Sequence, residues 1–281
     1  MLDFVYFPVS ALLWCWHQLL ALTFGPATGL TWVIAVVALV VTVRALLIRT
    51  ALRQARSHAV LRTLQPRIDR IRSAHKDDPR AQATAIRQLH REHGVRVFAG
   101  FGPMIAQALV FLGLFHVLRS FDRTAAFAVG PFTSTSSPLS PEINAATANY
   151  FFSADEVRAF LDARLFGVPL SATSTGAGAS AALLAVVLVV TAALAAHGTA
   201  RLTPVPADNP TATLMRTLSL WVFPAGALVS GAILPIVVLV YFAANALWTL
   251  AQQFLIRRTL ATEAPGRTSR TDAGPRRRKA G

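Results

Sequence analysis

The stretch VIAVVALVVTVRALLIRT, residues 33 to 50, sets a permanent cation inside an apolar run, because Arg44 stands about a turn short of the point where polar residues take over. A guanidinium does not deprotonate in a protein, and insertion scales charge about 2.5 to 3.5 kcal/mol for a basic residue at mid-span, so such residues usually mark functional pathways. If the apolar helix covers residues 30 to 48, Arg44 lies five residues past its centre. That is about 7.5 Å along the axis, some 7 Å short of the edge of a half-bilayer about 15 Å thick. Two fates stay open at this point: the long side chain snorkels to the headgroups, or it faces a water-filled cavity within a bundle. Periodicity does not choose between them.

Other chemistry-bearing residues point less far. His90 and His93 in HREH sit on neighbouring helical turns, a metal pair with no third ligand in view, and solvated helix residues explain them more simply. His116 falls in an apolar run and reads as a satisfied interior or interfacial histidine. No serine or cysteine has a recognisable nucleophile context. The sequence lacks GxxxxGK[ST], and its two lysines, Lys76 and Lys279, are not in glycine-rich settings. No enzyme, metal site or cofactor is implied. The single cysteine, Cys15, excludes an internal disulfide.

The elements that must position Arg44 are membrane helices. Of 281 residues 54% are hydrophobic and 14% charged, too apolar for an ordinary soluble domain. The expected fold is an all-α integral membrane protein with five transmembrane helices, an N-terminal interfacial helix and a cytoplasmic helical hairpin. Spans are expected over 29–48, 98–119 and 179–200, and a fourth and fifth within 217–256. Gly231 and Pro235 are the expected bend in that last region. Segment 1–28 is apolar but holds Asp3, His17 and Gln18, starts without a basic residue, and clusters aromatics, which suits a helix lying in the outer interface and no cleaved leader.

Charge orients these spans. Residues 49–96 carry 12 Lys/Arg against 4 acids and residues 257–281 carry 8 against 2, whereas residues 119–178 carry 4 against 5. The positive-inside rule makes 49–97, the short loop 201–216 and the tail 257–281 cytoplasmic, with the N-terminus outside. Leu61, Leu64, Ile68 and Ile71 recur at helical spacing, KDDP at 76–79 breaks the run, and a second helical stretch ends at Gly94. This predicts a helical hairpin with a basic exterior, or else a solvated loop whose arginines only set topology. In the outer segment 120–178, TSTSSPLSP reads as irregular chain and SADEVRAFLDARLFG alone as helical, with Ser153 and Glu156 matching a capping box. Within the tail, RTSRTDAGPRRRKAG at 267–281 lacks large apolar residues and reads as disordered, its basic cluster at 276–279 suited to anionic lipid, RNA or topology anchoring.

Taken in order, the chain resembles the YidC/Oxa family of membrane-protein insertases, of the actinobacterial type, over nearly its whole length. FVYFPVSALLWCWHQLL is similar to the family's outer amphipathic helix, TVRALL to its arginine-bearing span and LQPRIDRIR to its cytoplasmic hairpin. PMIAQALVFLGLFHVL, with Pro103 and Gln107 four apart, resembles its second core span, and DARLFGVPL at 162–170 resembles an actinobacterial outer loop. Pro224 and Pro235 fall eleven apart, followed by Tyr241, Phe242, Asn245, Gln252 and Gln253. The chain departs from the pattern where Ile48, Arg49 and Thr50 replace a proline-bearing stretch, and at Leu109, at Arg96 and Val97, and in PIVV of the last span.

The resemblance implies an insertase and chaperone that passes nascent transmembrane segments into the bilayer without nucleotide hydrolysis. It implies a hydrophilic groove, open to the cytoplasm and lipid and closed outside, with Arg44 in it. Gln107 is then a groove residue or an interhelical hydrogen-bonding amide, and Tyr241 and Phe242 stand on the client path or simply pack the spans. Implied partners are nascent membrane proteins and the lipid bilayer, with the Sec translocon and the ribosome as further candidates; the implied place is the bacterial plasma membrane. A transporter or channel for an anionic solute, for which no internal repeat is detectable, and an assembly factor with a vestigial groove are the competing readings.

Overall fold

The computed structural model describes residues 3–94, 101–124, 138–202, 231 and 233–262. Most of the expected fourth span, the start of the second, the run 133–137 and the basic tail lie outside the described residues. The elements are α1 (Asp3–Phe24), α2 (Gly29–Ala74), α3 (Pro79–Glu92), α4 (Phe101–Arg119), α5 (Pro141–Ala145), α6 (Ala154–Asp162), β1 (Arg164–Leu165), β2 (Val168–Pro169), α7 (Gly178–Leu202) and α8 (Ile236–Thr262). Among the described residues the protein is an all-α membrane protein with one small hairpin.

Among the described residues four helices are long and apolar enough to cross a bilayer: α1, the first 33 residues of α2, α7, and α8 as far as Thr259; Ile105–Arg119 of α4 is apolar but shorter. The first span and the first arm of the hairpin are one helix, with no interruption at residue 48. Residues 49–65 contain no glycine or proline and are rich in Ala, Leu and Arg, so nothing stops propagation. The stop comes at the expected KDDP, where Asp78 accepts hydrogen bonds from Arg80 N and Ala81 N, each at 3.0 Å, and Pro79 opens α3. Gly94 closes the second arm at φ +65°, a conformation that glycine adopts freely. Of the expected stripe Leu64 and Ile68 are buried and Leu61 and Ile71 half-buried.

Within the bundle, α7 packs along α8 through Ala181, Ala185, Val189, Ala192 and Ala195, small residues that let two backbones approach. Its opposite face exposes Leu183, Val186, Val187, Val190 and Leu194, the arrangement expected where the solvent is hydrocarbon. α1 crosses α4 at Gly113, where an added Cβ would lie 2.9 Å from Val5 Cγ1. The bend ahead of the last span falls at Leu234 and Pro235.

The described part of segment 120–178 is more ordered than its composition predicts. Trp32 of α2, Phe121, Phe152 and Phe160 are all buried, and their rings stack edge-on or tilted with centroids 4.5 to 5.5 Å apart. Helical form does not extend through DARLFG: α6 ends at Asp162, and Arg164 and Leu165 pair antiparallel with Pro169 and Val168. The segment also closes the end of the bundle. Ile236 N and Val237 N, free donors in the first turn of α8, bond to Ala172 O at 3.0 Å and Leu170 O at 3.1 Å. Gly29, at the start of α2, lies so close to Arg164 O that a Cβ there would overlap it.

Ser153 and Glu156 form the expected capping box. Glu156 does more than sequence spacing implies, since its Oε1 accepts from Trp14 Nε1 at 2.9 Å and from Gln18 Nε2 at 2.8 Å. With Phe7 against Tyr150 at 5.3 Å and Ser10 Oγ accepting from Phe151 N, the stripe Phe7, Ser10, Trp14, Gln18 lays α1 along the outer segment. Replacing Glu156 by Ala removes a cap and two ties to α1, an expected loss of about 2 kcal/mol in detergent unfolding. Glu156→Gln, which keeps an acceptor oxygen, should lose less; equal stability of all three proteins would exclude the clamp.

Candidate functional site

Three helices, α2, α4 and α8, bring polar side chains to Arg44. Its hydrogen bonds run across the bundle to α8: Nε and Nη2 donate to Asn245 Oδ1 at 3.1 and 2.7 Å, and Nη2 also donates to Thr249 Oγ1 at 3.1 Å. The Thr249 hydroxyl donates to Asn245 O at 2.8 Å, a bond back to the preceding turn, which leaves its lone pairs for the guanidinium. From α4, Gln107 Nε2 donates to Tyr241 Oη at 3.0 Å and to Asn245 Oδ1 at 3.3 Å. Asn245 Oδ1 therefore collects donors from two neighbouring helices. Gln107 Oε1 is buried and has no partner among the described residues.

These groups line a hollow of about 450 Å³. Arg44, Leu47, Ala51 and Gln54 border it from α2; Gln107, Ala108 and Phe111 from α4; Tyr241, Phe242, Asn245 and Gln252 from α8. Phe111 packs its ring 5.7 Å from that of Tyr241 and 5.4 Å from that of Phe242, which makes one wall apolar. Among the described residues no Asp or Glu is in the lining. The fixed positive charge is met there by neutral oxygens, so the hollow favours an anion or the negative end of a dipole.

All four residues singled out from the sequence, Arg44, Gln107, Tyr241 and Phe242, border this one hollow. Of the two terminal glutamines only Gln252 does, its Oε1 accepting from Trp248 Nε1 at 3.2 Å. Sequence reasoning did not assign Asn245 and Thr249 as partners of Arg44. The signal was present: Tyr241, Asn245, Thr249 and Gln252 recur at intervals of four, four and three along α8, a polar stripe at helical spacing in an apolar span. What spacing lacks is the identity of the helix that the stripe faces.

The remaining candidates are dispersed. His116 Nε2 pairs with Tyr150 Oη at 2.8 Å and its ring stacks on Tyr6 at 4.0 Å, so it joins α4, α1 and the outer segment. His93 Nδ1 pairs with Leu89 O of its own helix at 2.9 Å. Among the described residues no three His, Cys, Asp or Glu side chains gather where a metal could bind.

The model of the family described as 60Kd inner membrane protein, the YidC/Oxa family, matches residues 23–263. The chain belongs to this family. A protein of Mycolicibacterium paratuberculosis described as membrane protein insertase YidC is 40% identical over 270 residues, covering 91% of this chain and 75% of the relative. One of Mycobacterium tuberculosis H37Rv with the same description is 39% identical, with 91% and 72% covered. A YidC of Streptomyces avermitilis is 26% identical over 265 residues, with 92% and 59% covered. These relatives are actinobacterial, the branch of the family that the sequence resembles.

Replacing Asn245 by Leu leaves Arg44 with Thr249 alone and Gln107 with Tyr241 alone. Bonds to a charged donor contribute about 1.5 to 3 kcal/mol each, so a loss near the lower end is expected where water reaches the hollow. Asn245→Asp should keep the fold, because it retains the acceptor and adds a countercharge. Thermal unfolding in detergent reads both; an unchanged Asn245→Leu midpoint would argue against the tie.

Proposed function

We propose that this chain is a membrane-protein insertase and chaperone, passing nascent transmembrane segments into the bilayer by way of the hollow around Arg44. The observation that carries this reading is a guanidinium held across the bundle by Asn245 and Thr249 in a hollow whose lining, among the described residues, has no carboxylate. A polar tail crossing hydrocarbon faces a cost of several kcal/mol for each unsatisfied backbone or charged group. A hydrated recess partway through the bundle shortens that path, and Arg44 offers an acidic or polar segment a fixed cation. The apolar part of the client slides past Phe111, Tyr241 and Phe242 into lipid. Its transfer from water supplies the driving force, about 0.8 kcal/mol per CH₂, with no nucleotide consumed.

In this reading the protein crosses the bacterial plasma membrane with its N-terminus outside and its C-terminus in the cytoplasm. α1 lies in the outer interface, and the recess opens to the cytoplasm and to lipid. The α2–α3 hairpin and the tail face the cytoplasm, where their basic surfaces suit a ribosome or anionic lipid; a Sec translocon alongside is a further partner. The description of the relatives as insertases supports the assignment.

Arg44→Ala in reconstituted vesicles should slow insertion of clients with acidic translocated tails by about tenfold, the equivalent of ~1.4 kcal/mol in a barrier. Clients with neutral tails should be affected less, and Arg44→Lys should recover part of the rate. Full-rate insertion of acidic-tailed clients by a folded Arg44→Ala protein would remove the charge from the mechanism. A shortened hairpin lacking residues 75–79 should reduce delivery of ribosome-bound clients while leaving the unfolding midpoint within a few degrees; normal delivery would exclude that role.

A further inference from the structure

Among the described residues two non-glycine residues adopt left-handed backbone conformations, and both are aromatic: Tyr150 at φ 52° and Phe166 at φ 51°. Such conformations are uncommon for bulky side chains and persist where something compensates. For Tyr150 the compensation is visible, since its hydroxyl pairs with His116 and its ring packs edge-on to Phe7 and Tyr6. Phe166 makes no ring contact among the described residues and is 87% exposed. It is the first of the two turn residues between β1 and β2, followed by Gly167 at φ 83°. A turn with two positive φ angles favours Asn-Gly or Asp-Gly, and here a phenylalanine occupies the first place.

The level of this hairpin relative to the bilayer follows from its neighbours. Arg164 backbone abuts Gly29, the first residue of a membrane-crossing helix, and the chain just after β2 caps the first turn of α8, another such helix. Both helices begin at the same end of the bundle as the hairpin. Phe166 is two residues from Arg164, hence within about 7 Å of that level, and the headgroup layer on each side is about 6 Å deep. An exposed aromatic at this depth occupies the interfacial belt. Arg164 itself is exposed, its Nη1 donating to Gly167 O at 3.4 Å beneath the tip, which puts a cation where lipid phosphates lie.

We propose that the β1–β2 hairpin is a lipid anchor: it buries the Phe166 ring at the headgroup–acyl boundary on the hairpin side of the membrane, with Arg164 against a lipid phosphate. The anchor fixes the outer segment, and through Leu170 and Ala172 the start of α8, to the bilayer surface. It does not depend on the insertase reading or on the role of Arg44.

The test uses the full chain with Cys15→Ser and Phe166→Cys, labelled with an environment-sensitive fluorophore and reconstituted in phosphatidylethanolamine–phosphatidylglycerol vesicles. The expected result is blue-shifted emission, quenched by nitroxides on the lipid headgroup or upper acyl chain and protected from aqueous iodide. Emission like that in water with full iodide quenching would overturn the anchor. Protection from both quenchers would also overturn it and point instead to a protein partner on the hairpin tip. Phe166→Asn, which suits the turn conformation, should keep the unfolding midpoint in detergent, and Arg164→Cys labelled in the same background should report the headgroup nitroxide more strongly than the acyl one.

Discussion

The bond between the Arg44 guanidinium and Asn245 Oδ1, at 2.7 Å, is the constraint around which the other helices are arranged. A permanent cation inside an apolar span costs several kcal/mol unless polar groups or water meet it. Here the polar groups come from one stripe of α8, and Gln107 of α4 shares the same acceptor. A carboxylate in that place would neutralise the charge and close the hollow electrostatically. Neutral acceptors hold the guanidinium in position without neutralising its charge.

Holding three helices at this spacing is the work of the opposite end of the molecule. The buried Trp32, Phe121, Phe152 and Phe160 cluster joins α2 to the outer segment, and the carbonyls of Leu170 and Ala172 seat the first turn of α8. Glu156 ties α6 to α1 through Trp14 and Gln18. A segment of polar, small-residue composition thereby becomes a lid that fixes where two spans begin. The arginine and its partners, further along the same helices, inherit their alignment from it. Rigidity at one end and a polar hollow toward the other are two aspects of one packing solution.

The arms of the hairpin show a third design element. Because α2 is continuous from Gly29 to Ala74, with Pro66 inside it, the first arm of the hairpin extends the helix that carries Arg44. Residues 49–65 hold neither glycine nor proline, and the helix continues through Pro66.

The sequence alone determined much of this. Apolar runs fixed the described spans because hydrocarbon demands continuous helix, charge counts gave an orientation to test, and KDDP, Gly94 and the Ser153–Glu156 pair marked local stops and starts whose cause is local hydrogen bonding. Arg44, Gln107, Tyr241 and Phe242 were legible as a set through family likeness. Tertiary structure alone decided which helix faces Arg44, because a polar stripe such as Tyr241, Asn245, Thr249 and Gln252 states a direction on its own helix and nothing about its neighbour. The same limit hid the lid: Glu156 reads as a capping residue, and Phe152 and Phe160 as isolated aromatics, until folding brings residues more than a hundred positions apart into contact. Covalent neighbours set what each segment can form, whereas packing against distant segments sets what it touches.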